Sequence, residues 1–337
     1  MSRALALFSG GLDSMLAARL VMEQGVEVLA LHFITPFFGY KSKGREDDAA
    51  RDFKDRFGVD VRIIDISDEY IRMVRAPRYG YGSNFNPCLD CKIFMMKKAK
   101  GMMDELGYDF IVSGEVLGQR PMSQRRDAMR IVERDSGLDG YLIRPLCAKL
   151  MKPTVPEERG LLDRERLLDI SGRSRKRQME LAERFGIKDY PTPAGGCLLT
   201  DPILSKRIEY LLLEGLDVGV EDVRLASLGR QFRLPRGMLY VGRNEKDNVR
   251  LSSFFREGDT LLKTVDAPGP LSLIRGAASS EDVILAARIT VRYSDARNLP
   301  EAEVSVKSGE GEETVTAAPM DDAGLDRYKA RYELNKS

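Results

Sequence analysis

A doubly wound parallel α/β sheet followed by a smaller β-rich α+β domain is the fold class this sequence predicts. Three observations carry the prediction. Apolar strands alternate with helical patterns through the first half of the chain. The first strand, Ala4-Leu5-Ala6-Leu7-Phe8, runs straight into the turn Ser9-Gly10-Gly11-Leu12-Asp13-Ser14. After Gly219 the pattern changes to short β-rich segments.

The elements follow in order. A continuous apolar run such as Ala4–Phe8 reads as a strand buried on both faces. Leu16–Gln24 reads as a helix, so the hexapeptide between them is a strand-to-helix turn. Its glycines let the backbone approach an anion, and the helix N-terminus supplies N–H groups and the positive dipole end. Such a turn holds a phosphate, with the Asp13 carboxylate placed for Mg²⁺. No Gly-Lys-Ser/Thr follows, which excludes the Walker pattern. Val26–Ile34 and Val61–Ile66 are further strands, separated by a helix over Glu46–Phe57. Asp68–Val74 is a short helix, and Arg75–Asn86 is a loop rich in Gly, Pro, Tyr and Asn. Leu89–Leu106 is the longest helix, before strands at Phe110–Ser113 and Tyr141–Arg144. Ligands of such a sheet gather at the C-terminal strand ends, where Ser9, His32, Gly114 and Glu115 all fall. Helices near Asp163–Ile170 and Arg175–Phe185 lie in a loop-rich stretch. Met238–Val241, Thr260–Val265 and Ile289–Val291 read as strands, and the polar last residues as a fraying end. The expected domains are 1–215 and 216–337, with the boundary near 213–222.

Composition narrows the function. Lys plus Arg total 53 against Asp plus Glu 52, so any nucleic-acid contact relies on local basic patches. Neither a signal peptide nor a membrane-spanning run is present, which predicts a cytoplasmic protein without a membrane partner. There the four cysteines are thiolates or metal ligands rather than disulfides. A single histidine, His32, excludes His-rich metal sites and most catalytic triads.

Cys88-Leu89-Asp90-Cys91 opens the long helix, where the dipole is expected to lower the thiol pKa values. Alone, the pair reads as a redox couple, half a zinc site or half a cluster site. Cys197, after Gly195-Gly196, suits a third ligand arriving from elsewhere in the fold. Cys147 reads as a small buried filler. Three thiolates around a cubane leave one iron open. A zinc site completed by Cys147, or a disulfide–persulfide relay through Cys197, stays open beside the cluster. Two basic clusters, Arg173–Arg177 and Arg120, Arg125, Arg126 and Arg130, read as polyanion contacts or as solvated charged faces.

Taken in order, the hexapeptide, His32-Phe33, Cys88/Cys91, Gly114-Glu115-Val116-Leu117-Gly118-Gln119 with Ser123-Gln124, and Arg144-Pro145-Leu146 resemble the catalytic domain of tRNA 4-thiouridine synthases. The hexapeptide itself resembles the PP-loop of the ATP pyrophosphatase family. The likeness covers roughly residues 3–200 and extends to tRNA thiolases that carry a three-cysteine [4Fe-4S] cluster. It implies ATP and Mg²⁺ as cofactors and tRNA as substrate. It also implies an ATP site lined by Leu7, Phe8, Ser9, Gly10, Gly11, Asp13, Ser14, His32, Phe33, Gly114 and Gln124, with Lys92 on a phosphate. Gln124 is an approximate match, because Arg120–Ser123 is one residue longer than the usual spacing. Asp13, Cys88, Cys91 and Cys197 are the implied catalytic residues, Asp13 through the metal and the cysteines through the cluster. The sequence shows neither the family's N-terminal tRNA-capturing domain nor a rhodanese-like one, and no cysteine after Cys197, which shifts weight to a cluster. The sulfur donor is sulfide or a cysteine desulfurase persulfide, and a homodimer is the assembly considered. Leu234–Gly237 and Tyr240–Asn248 resemble the RNA-binding module of NFACT proteins, with Arg236, Arg243, Lys246 and Arg250 as phosphate contacts. Two alternatives are a zinc-containing PP-loop enzyme acting on a small molecule, as in deazaguanine nitrile synthases, and a non-catalytic RNA-binding protein.

Overall fold

β1 (Arg3–Leu7), β2 (Glu27–Ile34), β3 (Asp60–Asp65), β4 (Phe110–Ser113) and β5 (Leu142–Ile143) pair in parallel in the order β3-β2-β1-β4-β5 in the computed structural model of the chain. The structure describes residues 1–191, 197–213, 218–309 and 311–330. Strand order reverses between β1 and β4, so the segments leaving these two strands flank a switch-point crevice. The register pairs Leu7 with both Leu31 and Ser113, which aligns the C-terminal ends of β1 and β4 and sets His32 of β2 just beyond them.

The chain divides into two units, residues 1–205 and 206–337. The expected junction at 215/216 lies outside the described residues. In the first unit the helices are α1 (Leu12–Met22), α2 (Glu46–Phe57), α3 (Ser67–Arg75), α4 (Cys88–Leu106), α5 (Arg126–Ser136), α6 (Val155–Glu158) and α7 (Lys176–Arg184). Helix α8 (Pro202–Leu213) runs across the division. Apolar side chains on alternate positions of β1 and β2, such as Ala4, Ala6 and Ala30, bury against Leu16, Leu20 and Val21 of α1. The helix begins at Leu12, earlier than expected, because Leu12 and Met15 are buried in the same cluster.

Two sequence expectations fail here. Asp163–Ile170 forms only a 3₁₀ turn at Arg164–Arg166, its N-cap Asp163 accepting from the Glu165 amide. Arg126–Ser136, read only as part of a basic cluster, is a helix that buries Ala128, Met129 and Val132.

In the second unit α9 (Val220–Leu225) precedes β6 (Arg230–Arg233) and β7 (Met238–Val241), and α10 (Glu245–Ser253) precedes β8 (Thr260–Thr264) and β9 (Ser272–Arg275). Helix α11 (Ser280–Arg292), β10 (Ala302–Ser308), β11 (Gly311–Ala317) and α12 (Asp322–Tyr328) complete it. The sheet order is β11-β10-β8-β9-β7-β6 with antiparallel pairing. Leu239 and Val241 bury with α11, whereas Met238 and Tyr240 bury with Leu251 of α10. Both faces of β7 are thus covered, which explains its unbroken apolar sequence. Ile289–Val291 is a correction: it lies inside α11, not in a strand. The Ser279–Asp282 capping box starts that helix, and burial of all three residues outweighs their β preference.

Among the described residues no helix is long and apolar enough to cross a membrane.

Candidate active site

Gly10 takes φ +72° and Gly11 forms the N-cap of α1 without a side-chain cap, leaving the helix start open to an anion. The Ser14 hydroxyl donates to Gly11 O at 2.7 Å, and the Gly11 amide donates to Ser9 Oγ at 3.3 Å. These bonds tie the turn to itself and line it with hydroxyls.

Gly114, leaving β4, packs directly on this turn. A Cβ there would lie 2.6 Å from the Asp13 carbonyl carbon and oxygen and 2.7 Å from Ser14 N. Only glycine permits that approach, so the motif after β4 and the turn after β1 form one unit.

Asp13 is held by Gln119, which had no expected role, and by Arg175, which the sequence placed in a basic cluster for nucleic-acid phosphates. Gln119 Nε2 donates to its Oδ2 at 2.7 Å, and Arg175 Nη2 reaches the same oxygen at 3.1 Å. Gln178, fully buried on α7, in turn donates to Gln119 Oε1 at 2.9 Å. Asp13 Oδ1 is buried with no hydrogen-bond partner. A buried carboxylate oxygen without a donor is the feature a divalent cation would satisfy. Gln119 stood in a quoted motif and could have been found; Gln178 carried no signal.

The adenine-side residues are more occupied than expected. Phe8 is 3% exposed and packs edge-on against Phe53, ring centroids 5.3 Å apart. Its amide donates to Leu31 O at 2.9 Å, and its carbonyl oxygen lies 2.9 Å from His32 Nδ1. The Phe8 backbone is therefore spent inside the protein rather than free to read a base edge. Burial lowers the His32 pKa below its ordinary value, the Phe8 carbonyl opposing this only in part. A neutral imidazole follows at pH 7. Phe33 is also buried, and Leu7 lies at the end of β1. Gln124 is buried with its side-chain oxygen unpartnered, so it retains an unused polar group.

Glu115 joins this half of the site to the cysteines. Its carboxylate, buried, accepts from Arg144 Nε at 3.0 Å and lies 3.7 Å from Lys92 Nζ. Arg144 also pairs with Glu133 and donates to Met129 O at 3.3 Å. Burial pushes the Glu115 carboxyl up, but Lys92 and Arg144 outweigh it and hold the carboxyl below its ordinary value.

Cys88 and Cys91 occupy the first turn of α4, and Cys197 opens the 3₁₀ turn Leu198–Thr200. The two glycines before Cys197 lie outside the described residues. The three sulfurs are near enough to act on one another electrostatically, and all three act on the buried Tyr70 hydroxyl of α3. Tyr70 also hydrogen-bonds Cys91. The Cys88 thiol donates to Asn86 Oδ1 at 2.9 Å. Burial pushes the Cys91 thiol up to about 11 and Cys197 up to about 12. For Cys91 this overturns the expectation of a thiol lowered by the helix dipole, because desolvation is the larger effect. Cys147 is buried, its thiol 3.4 Å from Glu115 O, and its charged neighbours are Arg144, Glu115 and Arg126 rather than the other cysteines.

The basic clusters are largely engaged. Arg175 pairs with Asp13 and Arg177 with Asp169, while Arg125 pairs with Asp127 and Arg130 with Asp139. Arg126 donates to Leu150 O at 3.0 Å. In the second unit Arg236, Lys246 and Arg250 are exposed, and Arg243 pairs with Asp247 at 2.6 Å.

An uncapped helix start at the switch point of a doubly wound sheet, with a buried carboxylate beside it, defines the class as an α/β domain whose crevice opens at the C-terminal strand ends. Comparison with known proteins shows what each part of the chain is similar to. Residues 1–152 match the thiamine biosynthesis protein (ThiI) family, and residues 229–329 match the NFACT protein RNA binding domain. A probable tRNA sulfurtransferase of Thermococcus kodakarensis is 31% identical over 170 residues, which is 50% of this chain and 40% of that protein. The chain thus spans less than half the length of this curated relative. Among solved structures, a 4-thiouridine synthetase–RNA complex with bound ATP aligns at 17% identity and TM-score 0.37, covering 67% of this chain and 52% of the other. The U34-tRNA thiolase NcsA of Methanococcus maripaludis with its [4Fe-4S] cluster aligns at 19% identity and TM-score 0.32, covering 64% and 71%.

Proposed function

We propose that the chain is an ATP-dependent tRNA uridine thiolase forming AMP and pyrophosphate. The observation that carries this reading is the conjunction of the Gly114-backed Ser-Gly-Gly turn with three mutually interacting thiols, joined through Glu115 and Lys92. The turn residues Ser9, Gly10, Gly11 and Ser14 bind the ATP phosphates, and Asp13 holds Mg²⁺ through its unpartnered oxygen. Gln119 and Arg175 orient that carboxylate. Gln124, with its free amide oxygen, faces the nucleoside, and Lys92 shares its charge between Glu115 and the phosphates. A uridine carbonyl oxygen attacks the α-phosphate, pyrophosphate leaves, and the oxygen departs as AMP when sulfur replaces it. The base is accessible to this chemistry only when unstacked.

Cys88, Cys91 and Cys197 are the residues that would hold a [4Fe-4S] cluster. Among the described residues no three His, Cys, Asp or Glu side chains converge closely enough for a single metal ion. When bound, such a cluster supplies an iron position that the protein leaves open, suited to sulfide. Exposed Arg236, Lys246 and Arg250 of the NFACT-type unit supply tRNA phosphate contacts.

Anaerobic reconstitution, with iron and acid-labile sulfide counted per chain, tests the cluster, and thiolated nucleoside in tRNA given ATP, Mg²⁺ and sulfide tests the reaction. The expected result is one cubane in the wild type, with iron lost in Cys197→Ser. Asp13→Asn keeps the iron and forms at least about 100-fold less product. A cluster-loaded wild type that leaves tRNA unthiolated would sink the reading.

A further inference from the structure

We propose that Asn84 is a positioning residue whose side-chain amide clasps the Cys197 segment to the loop that delivers Cys88 and Cys91. Asn84 Nδ2 donates to Thr200 O at 2.9 Å, across 116 positions of sequence. Thr200 belongs to the turn that Cys197 opens, and its hydroxyl donates back to Cys197 O at 2.7 Å. A bond at Thr200 therefore fixes the carbonyl end of Cys197 as well.

The backbone at Asn84 is built for this contact. It takes φ +60°, alone among the described non-glycine residues in having a positive φ. Asparagine tolerates that conformation better than most residues, because its short polar side chain bonds locally. The surrounding loop holds itself rigid. Tyr81 and Phe85 stack with centroids 4.2 Å apart, Gly82 N donates to Asn86 O at 2.8 Å, and Cys88 N donates to the same oxygen at 3.0 Å. Farther back, the buried Asp90 carboxylate accepts the amides of Arg78 and Tyr79 at 2.9 and 3.0 Å. Asp90 lies between the two cysteines of α4, so the loop bearing Asn84 is anchored to the helix bearing Cys88 and Cys91.

The Cys197 turn has a weaker second tie, Leu198 N to Phe37 O at 3.4 Å. Leu198 and Thr200 are themselves exposed, so little apolar burial holds this turn down apart from Leu199. The third thiol is thus placed by directional bonds, of which Asn84 makes the shortest between the segments. The functional weight of the clasp rests on the three-thiol reading above; its geometry does not.

The test uses the full chain, metal-free, oxidised with diamide. Two thiols each give up a proton and an electron to the reagent and join as a disulfide, which peptide mass spectrometry maps. Wild type forms a disulfide between Cys197 and Cys88 or Cys91. Asn84→Gly keeps the backbone conformation but loses the donor, and Asn84→Asp keeps the shape but loses the donor. Both are expected to form this disulfide about fivefold more slowly, the weight of one hydrogen bond, with unchanged circular dichroism. Wild-type rates in both variants, or a wild type that never bridges through Cys197, overturn the proposal. Iron counted on reconstituted wild type separates the two readings: a chain that bridges through Cys197 but holds no iron keeps the clasp and loses the cluster.

Discussion

Arg144→Met lowers the stability of the first unit by about 3–5 kcal/mol at pH 7. The methionine fills a similar volume, so the loss comes from charge rather than from a cavity. Arg144 is buried between the carboxylates of Glu115 and Glu133, whose side chains are 2% and 15% exposed. Removing the guanidinium leaves Glu115 with Lys92 at 3.7 Å and the Ser113 hydroxyl, and strips away both the charge and the 3.0 Å hydrogen bond of Arg144. The sign of the pH dependence follows from the same groups. In the wild type Glu115 is held below its ordinary value, so its share of stability is present above about pH 4.3 and is lost as pH falls through the folded value. In the variant burial dominates and raises the carboxyl, so protonation relieves the damage. The stability gap between the two proteins is therefore widest near neutrality and narrows toward pH 4. Hydrogen exchange of β4 and β5 peptides in urea reports on this unit directly. A gap under 1 kcal/mol at pH 7, or one that ignores pH, contradicts the account.

Gly114→Ala is expected to cut ATP turnover by about 100-fold in a protein that still folds. The new Cβ meets backbone of Asp13 and Ser14 at 2.6–2.7 Å, and backbone cannot rotate away as a side-chain tip can. The turn must move by a sizeable fraction of an ångström, which carries Asp13 and the amides at the start of α1 with it. Overpacking of this kind adds a stability cost of about 1–3 kcal/mol. Gly101→Ala, in α4 with no heavy atom within 4 Å of the added carbon, is the control and leaves turnover unchanged. Pyrophosphate release measures both. Turnover within about threefold of wild type in Gly114→Ala would mean the turn is not the site of the chemistry.

Local signals were enough for the elements that carry them in full. Alternation of apolar runs with helical spacing placed β1 to β5 within a residue or two, and the Ser-Gly-Gly turn was legible as an open helix start. Helix α11 misled because Ile289, Thr290 and Val291 favour strands when taken alone, although Ser279 and Asp282 already marked a helix start. Helix α5 was not legible because its three arginines and three acidic residues interrupt the apolar stripe of Ala128, Met129 and Val132. The cysteines were legible as residues, but their pKa values were not. A helix N-terminus is visible in sequence, whereas the burial that lifts Cys91 to about 11 is not.

By itself the sequence determined the Ser-Gly-Gly turn at a helix start, the doubly wound order of elements and the Cys88/Cys91 pair opening α4, because each is written in residues close together or in periodic patterns. Tertiary structure decided what those residues face: Asp13 held by Gln119 and Arg175, Phe8 sealed by His32, and Cys197 brought to Cys91 by way of Asn84. Each is a contact between distant segments of the chain, and its strength comes from burial and direction that no stretch of sequence carries alone.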